Sequence, residues 1–428
     1  MGSARGPTIP PAEGKTPPGL GPIFLIVFLD LLGFSLVLPF LAEEARSTFG
    51  TTSLTGTLLA SIYSLMQFLF VPVWGRVSDR VGRRPVLLWS VLATAVGMFS
   101  LGLGLVFATH VAWLFVVRAA SGIATANLGT ASAYIADVTK PEERARGMGL
   151  IGMAFGLGFI LGPGIGGWLA TYPVLGRYGA VPCFVAGALS VANFAWAFFG
   201  LRESLPEDRR ATVKRSLAPL NVEAAKAALG RPGVGLAILV NFVLILSFTV
   251  LDQTFRYFNK DVFGMSAGQT GAVLAFIGIV AAGTQGGLVR PLAKRVDESA
   301  LIRGGTFLQA VAFAGFTLAP TVGRWMLYAA GATLAVGNGL TQPSVAAYVS
   351  KRADPREQGS TLGTNQSASS LARMFGPAVG GWLYGTFGPR APYAYGAVGM
   401  LLALAVAFFI RPASQLAEPT EGEPAKSA

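Results

Sequence analysis

The chain has 428 residues, of which 52% are hydrophobic and only 13% are charged. Soluble proteins average about 25% charged residues, so this composition excludes an ordinary water-soluble globule and indicates a membrane protein. The formal net charge is +12, which in a soluble domain would favour nucleic-acid binding. The single cysteine, Cys183, excludes an intramolecular disulfide and a cysteine-rich metal site.

The two ends of the chain, residues 1–21 and 411–428, are rich in proline, glycine and polar residues. The first end lacks the order of positive charge, apolar run and small residues that marks a cleaved signal peptide. Both ends are therefore predicted to be disordered tails.

Long apolar stretches fill most of the remaining sequence. A bilayer core of about 30 Å needs about 20 apolar residues in a helix, and twelve stretches meet this requirement. An all-α integral membrane protein of twelve transmembrane helices is predicted. The first six spans are Pro22–Leu41, Leu54–Val73, Pro85–Phe107, Val111–Ala136, Gly147–Leu169 and Val181–Leu201. The second six are Val234–Phe255, Gly268–Val289, Leu301–Ala319, Trp325–Val349, Leu362–Tyr384 and Pro392–Ile410.

The 33 Lys and Arg residues are distributed unequally between the two sides of these spans. Most lie on the side that holds both tails. The opposite side holds only Arg46, Arg177, Arg256, Lys260, Arg324 and Arg390. Because basic connections stay in the cytoplasm, both termini are predicted to be cytoplasmic and the protein to lie in the cell (inner) membrane. The positive charge is thus a topology signal, and nucleic acid is not expected as a partner.

The longest connection between spans covers residues 202–232 and carries mixed charge. It is predicted to be a cytoplasmic linker between two six-helix halves, residues 22–201 and 233–410. The halves repeat each other without a gap from Ala133 and from Ala347. The matched positions include Tyr134 with Tyr348, Pro141 with Pro355, Gly162-Pro163 with Gly376-Pro377, and Trp168 with Trp382. Two such halves around a midplane site are the architecture of an alternating-access transporter.

A motif, "WGRVSDRVGRRPVLLW", lies at the predicted cytoplasmic turn between the second and third spans. Its arginines alone would fit a basic anchor. Its glycines permit a sharp turn, and its aspartate suits a cluster of cations or a helix N-terminus. The residues that carry the motif are Gly75, Asp79, Arg80, Gly82, Arg83 and Arg84.

This motif resembles the signature loop of the major facilitator superfamily. The stretch "GLGFILGPGIGG" is similar to the fifth-helix motif of its drug–proton antiporters, with Gly158, Gly162, Pro163, Gly166 and Gly167 in place. The stretch "LDLLGFSLVLPFL" resembles the first helix of the tetracycline-efflux branch, and "RAASG" resembles the basic motif of the fourth helix. The resemblance covers nearly all of the chain from Pro22 to Ile410.

The resemblance implies a role for the loop motif as a cytoplasmic latch. Asp79 would meet the start of the eleventh helix near Gly359, and Arg83 would pair with Asp137. The alternative is a set of exposed ion pairs, each worth under about 1 kcal/mol. The fifth-helix motif would seal the path against proton leak. Its glycines also have a packing interpretation, because residues four apart share a helix face and permit close helix contact.

Asp30 stands within an apolar run, where a charged group costs about 2.5–3.5 kcal/mol even on the lenient insertion scale. Arg118 also lies in mid-span, so the two are expected to form a pair. The resemblance places the first and fourth helices around the central cavity. We interpret Asp30 as the proton carrier and Arg118 as its modulator. A permanent buried pair that only holds helices together is the structural alternative.

Other polar and aromatic residues of the spans are candidates for lining the cavity. Each of them has an alternative role in helix contacts, lipid contacts or the core. These candidates are Phe34, Tyr63, Gln67, Asn127, Phe155, Asn241, Asp252, Gln253, Phe255, Gln342 and Gln366.

These features together predict a proton-coupled antiporter that exports amphipathic organic molecules or drugs and gives antibiotic resistance. The expected partners are protons, a small amphipathic substrate and membrane lipids, and the protein is expected to be a monomer without cofactor or metal. A transporter of one metabolite and a non-transporting receptor or scaffold are the alternatives. A membrane enzyme is disfavoured because the chain has one histidine and no nucleophile-elbow pattern.

Overall fold

The computed structural model describes residues 20–125, 128–139, 144–205, 207, 210, 226–227, 229–231, 233–352 and 358–410. Within those ranges, side chains are not described at positions 72, 128, 144–149, 151–152, 155, 159–160, 290 and 358–360. The regular elements of the described chain are helices, and one isolated β-bridge joins Val174 to Arg177.

The helices of the first half follow the predicted spans closely. They are α1 (Leu20–Phe49), α2 (Ser53–Val81), α3 (Arg83–Phe107), α4 (Ala112–Ala124), α5 (Leu128–Val138), α6 (Arg144–Leu169) and α7 (Ala180–Gly200). The predicted fourth span thus falls on α4 and α5 together. The first helix begins at Leu20, inside the predicted tail 1–21, and the rest of that tail lies outside the described residues.

The second half has the same alternation. Its helices are α8 (Val234–Phe263), α9 (Ala267–Gly283), α10 (Val289–Ala293), α11 (Glu298–Val322), α12 (Trp325–Arg352), α13 (Gln358–Phe387) and α14 (Ala391–Phe408). A π-helical turn, Thr284–Leu288, joins α9 to α10. The predicted tail 411–428 and most of the linker 202–232 lie outside the described residues.

Eight helices of the described chain are long and apolar enough to cross a membrane. The other four predicted spans coincide with α4 and α5, α6, α12, and α13. The mean hydropathy of α13 is reduced by a run of small and polar residues, "STLGTNQSASS". Such residues suit helix faces that contact other helices or a cavity rather than lipid. The count of twelve spans therefore remains a prediction, although each predicted span has helices at its position.

The sharp turn between α2 and α3 depends on one glycine. Gly82 has a φ of +106°, a conformation that side-chain-bearing residues rarely adopt. Its Cα lies against the Glu203 side chain, whose carboxylate accepts hydrogen bonds from the backbone N–H of Arg83 and Arg84 at 2.8 and 3.2 Å. This acid therefore caps the N-terminus of α3, where partial positive charge accumulates.

The two halves meet along α2 with α13 and along α6 with α9, and α1 contacts α8. Small residues allow the closest approach. A Cβ added to Gly271 of α9 would lie 2.9 Å from the Cα of Gly167, and one added to Gly381 of α13 would lie 2.8 Å from the Cα of Leu54. These contacts lie at the end of the bundle where α1, α6, α8 and α13 finish, which we call the outer end.

Candidate functional site

A small cleft lies among four helices of the first half. Helices α1 to α4 each contribute side chains to it. The lining residues are Asp30, Phe34, Tyr63, Thr94, Met98, Ser121 and Thr125. The cleft therefore combines one carboxylate, two aromatic rings, a thioether and several hydroxyl groups.

Asp30 is half-buried on α1, and α1 is held in place from two sides. On one side the Ser35 hydroxyl donates to the Gly158 carbonyl of α6 at 2.7 Å. On the other side the Asn193 side chain of α7 donates to the Ile26 carbonyl at 3.0 Å. Since Asp30 lies between Ile26 and Ser35 on the same rigid helix, these contacts fix the height and rotation of its carboxylate.

The fifth-helix motif supplies the surface against which α1 packs. Gly158, Gly162 and Gly166 lie at four-residue intervals on one face of α6. A Cβ at Gly158 would lie 3.2 Å from Leu31, and one at Gly162 or Gly166 would collide with Ser35 or with the Leu36 backbone. The packing interpretation of these glycines therefore has direct geometric support.

A second face of the same motif contacts the other half. A Cβ at Gly271 of α9 would lie 3.0 Å from the Pro163 carbonyl oxygen and 2.9 Å from the Gly167 Cα. The motif thus packs α6 against α1 within its own half and against α9 across the half boundary. Whether it also prevents proton leak stays a prediction.

Arg118 is buried, with an exposed fraction of 1%. Its Nε donates to the Leu59 carbonyl at 3.2 Å, and its guanidinium carbon lies 4.2 Å from the centre of the Tyr63 ring and 5.7 Å from that of Phe34. Among the described residues, its Nη2 has no hydrogen-bond partner. The guanidinium is therefore stabilised mainly by aromatic faces, an attraction that strengthens when the groups are desolvated.

The expected ion pair between Asp30 and Arg118 is wrong for this structure. The Phe34 and Tyr63 rings stack with centroids 5.1 Å apart and cover the guanidinium. The Tyr63 hydroxyl shares a 2.7 Å hydrogen bond with the Thr125 hydroxyl, which holds the ring in this orientation. The cation thus has an aromatic partner where the sequence predicted a carboxylate.

The loop motif is bound to its own half. Arg83 Nη1 donates to Asp79 at 2.6 Å and to the Ser78 hydroxyl at 2.7 Å, and Arg83 Nε donates to Asp137 at 3.2 Å. The pair between Arg83 and Asp137 is therefore formed as the resemblance implied. The residues on which the Asp79–Gly359 contact depends include side chains outside the described ones.

The rest of the loop motif has varied surroundings. Arg84 donates from Nε and Nη2 to the carbonyl groups of Leu201 and Phe198, at the end of α7. Arg80 is exposed, and nothing lies within 4 Å of a Cβ added to Gly75. Glu203, the cap of α3, was missed from the sequence because nothing in the order of residues indicates which helix end it faces.

The remaining candidates for lining the cavity lie in different surroundings. Phe34 and Tyr63 line the cleft, and Gln67 donates weakly to the Thr125 carbonyl at 3.5 Å. Phe255 was wrong as a lining residue, because it is 1% exposed and packs edge-on against Phe316, 5.7 Å away, in the core of the second half. The side chains of Asn127 and Phe155 lie outside the described residues.

Polar candidates of the second half mostly join helices. The Asn241 amide of α8 donates to Asn365 at 3.0 Å and to Ser369 at 2.9 Å on α13. Gln253 is buried and donates to the adjacent Asp252 at 2.7 Å. Gln342 is half-buried and Gln366 is exposed.

The sequence did not single out Thr94 and Met98 of α3 or Ser121 of α4, which complete the cleft. A threonine within an apolar span was the available signal for the first.

Within the described part of the chain, no group of three or more His, Cys, Asp or Glu side chains is placed to hold a metal ion.

The model of the Major Facilitator Superfamily matches residues 23–377 and 291–428. The tetracycline resistance protein of class C from Escherichia coli is 34% identical over 357 residues, covering 82% of this chain and 86% of that protein. Multidrug resistance protein 2 from Bacillus subtilis is 29% identical over 375 residues, covering 85% and 88%.

Solved structures agree with the fold. The human organic anion transporter MFSD10 has a TM-score of 0.66 at 25% identity, with 91% of this chain and 98% of that chain covered. The nucleoside transporter NupG has a TM-score of 0.74 at 14% identity, with 92% and 100% covered, and supports the fold alone. The chain therefore belongs to the major facilitator superfamily, and it is a multi-pass membrane transporter of small molecules.

Proposed function

We propose that this transporter is a proton-coupled antiporter that exports amphipathic organic molecules or drugs by alternating access. We further propose that it acts as a monomer in the cell membrane with both termini in the cytoplasm. The observation that carries the proposal is the placement of Asp30. Its carboxylate lies on a helix that crosses the membrane, at a cleft whose other walls are aromatic, thioether and hydroxyl groups.

The chemistry of the cleft suits an amphipathic ligand. Phe34 and Tyr63 offer large apolar faces, and Met98 adapts to ligands of different shape. The hydroxyls of Thr94 and Ser121 can either donate or accept hydrogen bonds. Ligand sites are commonly apolar with a few polar groups that set orientation, and relatives that are tetracycline and multidrug resistance proteins favour such ligands.

Proton coupling follows from the cost of a carboxylate within the membrane. A charged group there is unfavourable by about 2.5–3.5 kcal/mol, and a proton or a polar ligand at Asp30 removes that cost. A proton favours the neutral form of the Asp30 carboxylate. A substrate that favours the ionised form therefore competes with the proton, and only one of them can occupy this group at a time. Arg118 modulates this exchange through the ring of Tyr63, which lies against the guanidinium and lines the same cleft as Asp30.

We infer an inward-facing state from the closed outer end of the bundle. At the outer end, the halves are joined by small-residue contacts and by ion pairs between α1 and α8. At the other end, Asp79 is bound by Arg83 of its own half. We propose that Gly75, Asp79, Arg80, Gly82, Arg83, Arg84 and Asp137 form the cytoplasmic latch when the bundle closes there.

The test is transport by the purified protein in proteoliposomes with an imposed pH gradient. Tetracycline and several chemically unrelated cationic or zwitterionic dyes are supplied as substrates, and drug susceptibility is measured in an efflux-deficient host. Proton-linked movement of several such molecules is the expected result. Saturable transport of one metabolite alone would favour the single-substrate alternative, and no flux of any kind would favour a scaffold.

A further inference from the structure

At the outer end, α1 and α8 carry complementary charges in their last turns. Helix α1 ends with Glu43, Glu44 and Arg46, and α8 ends with Arg256, Lys260 and Asp261. Each helix therefore contributes charges of both signs. In the sequence, the basic members stand out only as the few positive charges on the side opposite the two tails.

The first pair joins Arg46 to Asp261. Arg46 Nη1 and Nη2 donate to the two carboxylate oxygens of Asp261 at 2.9 and 2.6 Å, which is the bidentate geometry of a strong ion pair. The Arg46 guanidinium also lies 4.6 Å from the centre of the Tyr257 ring. From α13, the Tyr384 hydroxyl donates to Asp261 at 2.9 Å. Three helices therefore converge on one carboxylate.

The second pair joins Glu43 to Lys260. Glu43 is 1% exposed and forms an ion pair with the Lys260 ammonium. Arg46 Nε lies 2.9 Å from the other Glu43 oxygen, although its N–H is not aligned for a hydrogen bond. A buried carboxylate between two cations is stabilised only while both stay in place.

The remaining two charges of the cluster are Glu44 of α1 and Arg256 of α8. Both residues are buried, with exposed fractions of 6% and 7%. Arg256 Nη1 also donates to the Met265 carbonyl at 2.9 Å. The two ion pairs are reciprocal, because an acid of α1 meets a base of α8 in one and a base of α1 meets an acid of α8 in the other.

We infer that these six residues form the outer gate of the transport cycle. In the closed gate three acids balance three bases, and Glu43, Glu44 and Arg256 are buried among them. In the open gate water hydrates all of them, so opening does not leave a buried charge alone. Removing one partner, by contrast, strands a buried charge in the closed state. The charges are therefore stabilised by each other in the closed gate and by water in the open gate. A switch between two conformations requires two such stable arrangements.

The contacts of the gate cross the boundary between the two halves and do not lie within one half. The Tyr257 hydroxyl of α8 donates to the Ala42 carbonyl of α1 at 2.8 Å, one residue before the charged cluster. Arg177 lies at the same end but donates to the Thr48 carbonyl, within its own half. This contrast provides a matched control. The inference rests on the alternating access of the proposed function.

The experiment measures access to the outer end by thiol labelling. Cys183 is buried and is first changed to alanine. Thr57, which is buried beside Gly381 of α13 at the half boundary, is then changed to cysteine as the reporter. A membrane-impermeant maleimide is applied from outside intact cells, without substrate. We expect slow labelling of the parent and labelling about fivefold faster or more in Arg46→Ala and in Asp261→Ala.

Two further variants test the charge exchange itself. The double change Arg46→Asp with Asp261→Arg should return labelling toward the parent rate, and Arg177→Ala should leave it unchanged. If an alanine variant fails to fold, Asp261→Asn makes the same test with a side chain of the same shape. Parent-like labelling of folded single variants would overturn the gate, as would fast labelling of the exchanged double variant or an equal effect of Arg177→Ala.

This readout is independent of the transported molecule. If drug export fails while the single variants open the outer end, the substrate proposal fails and the gate stands. If export is intact while the single variants label like the parent, the gate fails and the proposed function stands.

Discussion

The guanidinium of Arg118 lies 4.2 Å from the centre of the Tyr63 ring and, among the described residues, forms no ion pair with a carboxylate. Asp30 lines the cleft beside the same ring. This arrangement bears on two interpretations of Asp30. A permanent structural pair would require contact between the two charges, whereas the proposed proton carrier does not.

Asp30→Asn should therefore give a folded protein that cannot pump. Because Arg118 keeps its contacts with Leu59 and Tyr63, the substitution does not strand the cation, and stability should change by about 1 kcal/mol or less. The variant should still bind and exchange substrate, but it should neither concentrate it nor move protons with it. Thermal melting and pH-driven flux measure both properties.

The control for that experiment is Glu207→Gln, which neutralises a carboxylate whose side chain is 87% exposed. It should behave like the parent in both assays. A stable Asp30→Asn protein that pumps normally, with its pH dependence intact, would show that Asp30 is not the carrier.

Tyr63 should influence the pH dependence of transport through its ring rather than its hydroxyl. Tyr63→Phe removes only the hydrogen bond to Thr125, worth about 1 kcal/mol, and should keep the parent pH profile. Tyr63→Ala removes the ring from the Arg118 guanidinium, and a cation free to approach Asp30 favours its charged form. The pH profile of flux should then move toward acid. Equal profiles for the alanine and phenylalanine variants would argue against this role.

Gly162→Ala should destabilise the protein, because its Cβ would collide with Ser35 on α1. Overpacking of this kind costs about 1–3 kcal/mol. Gly156→Ala is the matched control from the same helix, since the nearest atom to its Cβ would be 3.9 Å away. Thermal melting of both variants in detergent gives the comparison. A Gly162→Ala protein as stable as the control would show that α1 and α6 can separate without cost.

Asp79→Asn should impair the proposed latch while leaving the stability of the fold almost unchanged. In this structure Asp79 has an i,i+4 pair with Arg83, and its side chain is 35% exposed. Such a pair contributes under about 1 kcal/mol, so the melting temperature should barely change. If the latch closes the cytoplasmic end elsewhere in the cycle, cysteine labelling at the cytoplasmic mouth should increase and transport should fall. Unchanged labelling with normal transport would remove the latch from this protein.

The membrane class, the two repeated halves and the loop motif were all predictable from the sequence. Composition, the distribution of basic residues and a gapless repeat depend on the order of residues alone. The Arg83–Asp137 pair was predictable only with the resemblance, because its two members lie on different helices. The α6 glycines could likewise be assigned a packing face from their four-residue spacing, although their partner helix could not.

Only the tertiary structure decided which side chains meet. The sequence offered Asp30 as the partner of Arg118, but the rotation of α1, α2 and α4 directs the guanidinium to Tyr63 instead. The same is true of Arg46 and Asp261, which lie in different halves and pair because α1 and α8 finish side by side. A one-dimensional pattern records which face of a helix is polar. It does not record which neighbour that face meets, since this depends on the packing of all the helices together.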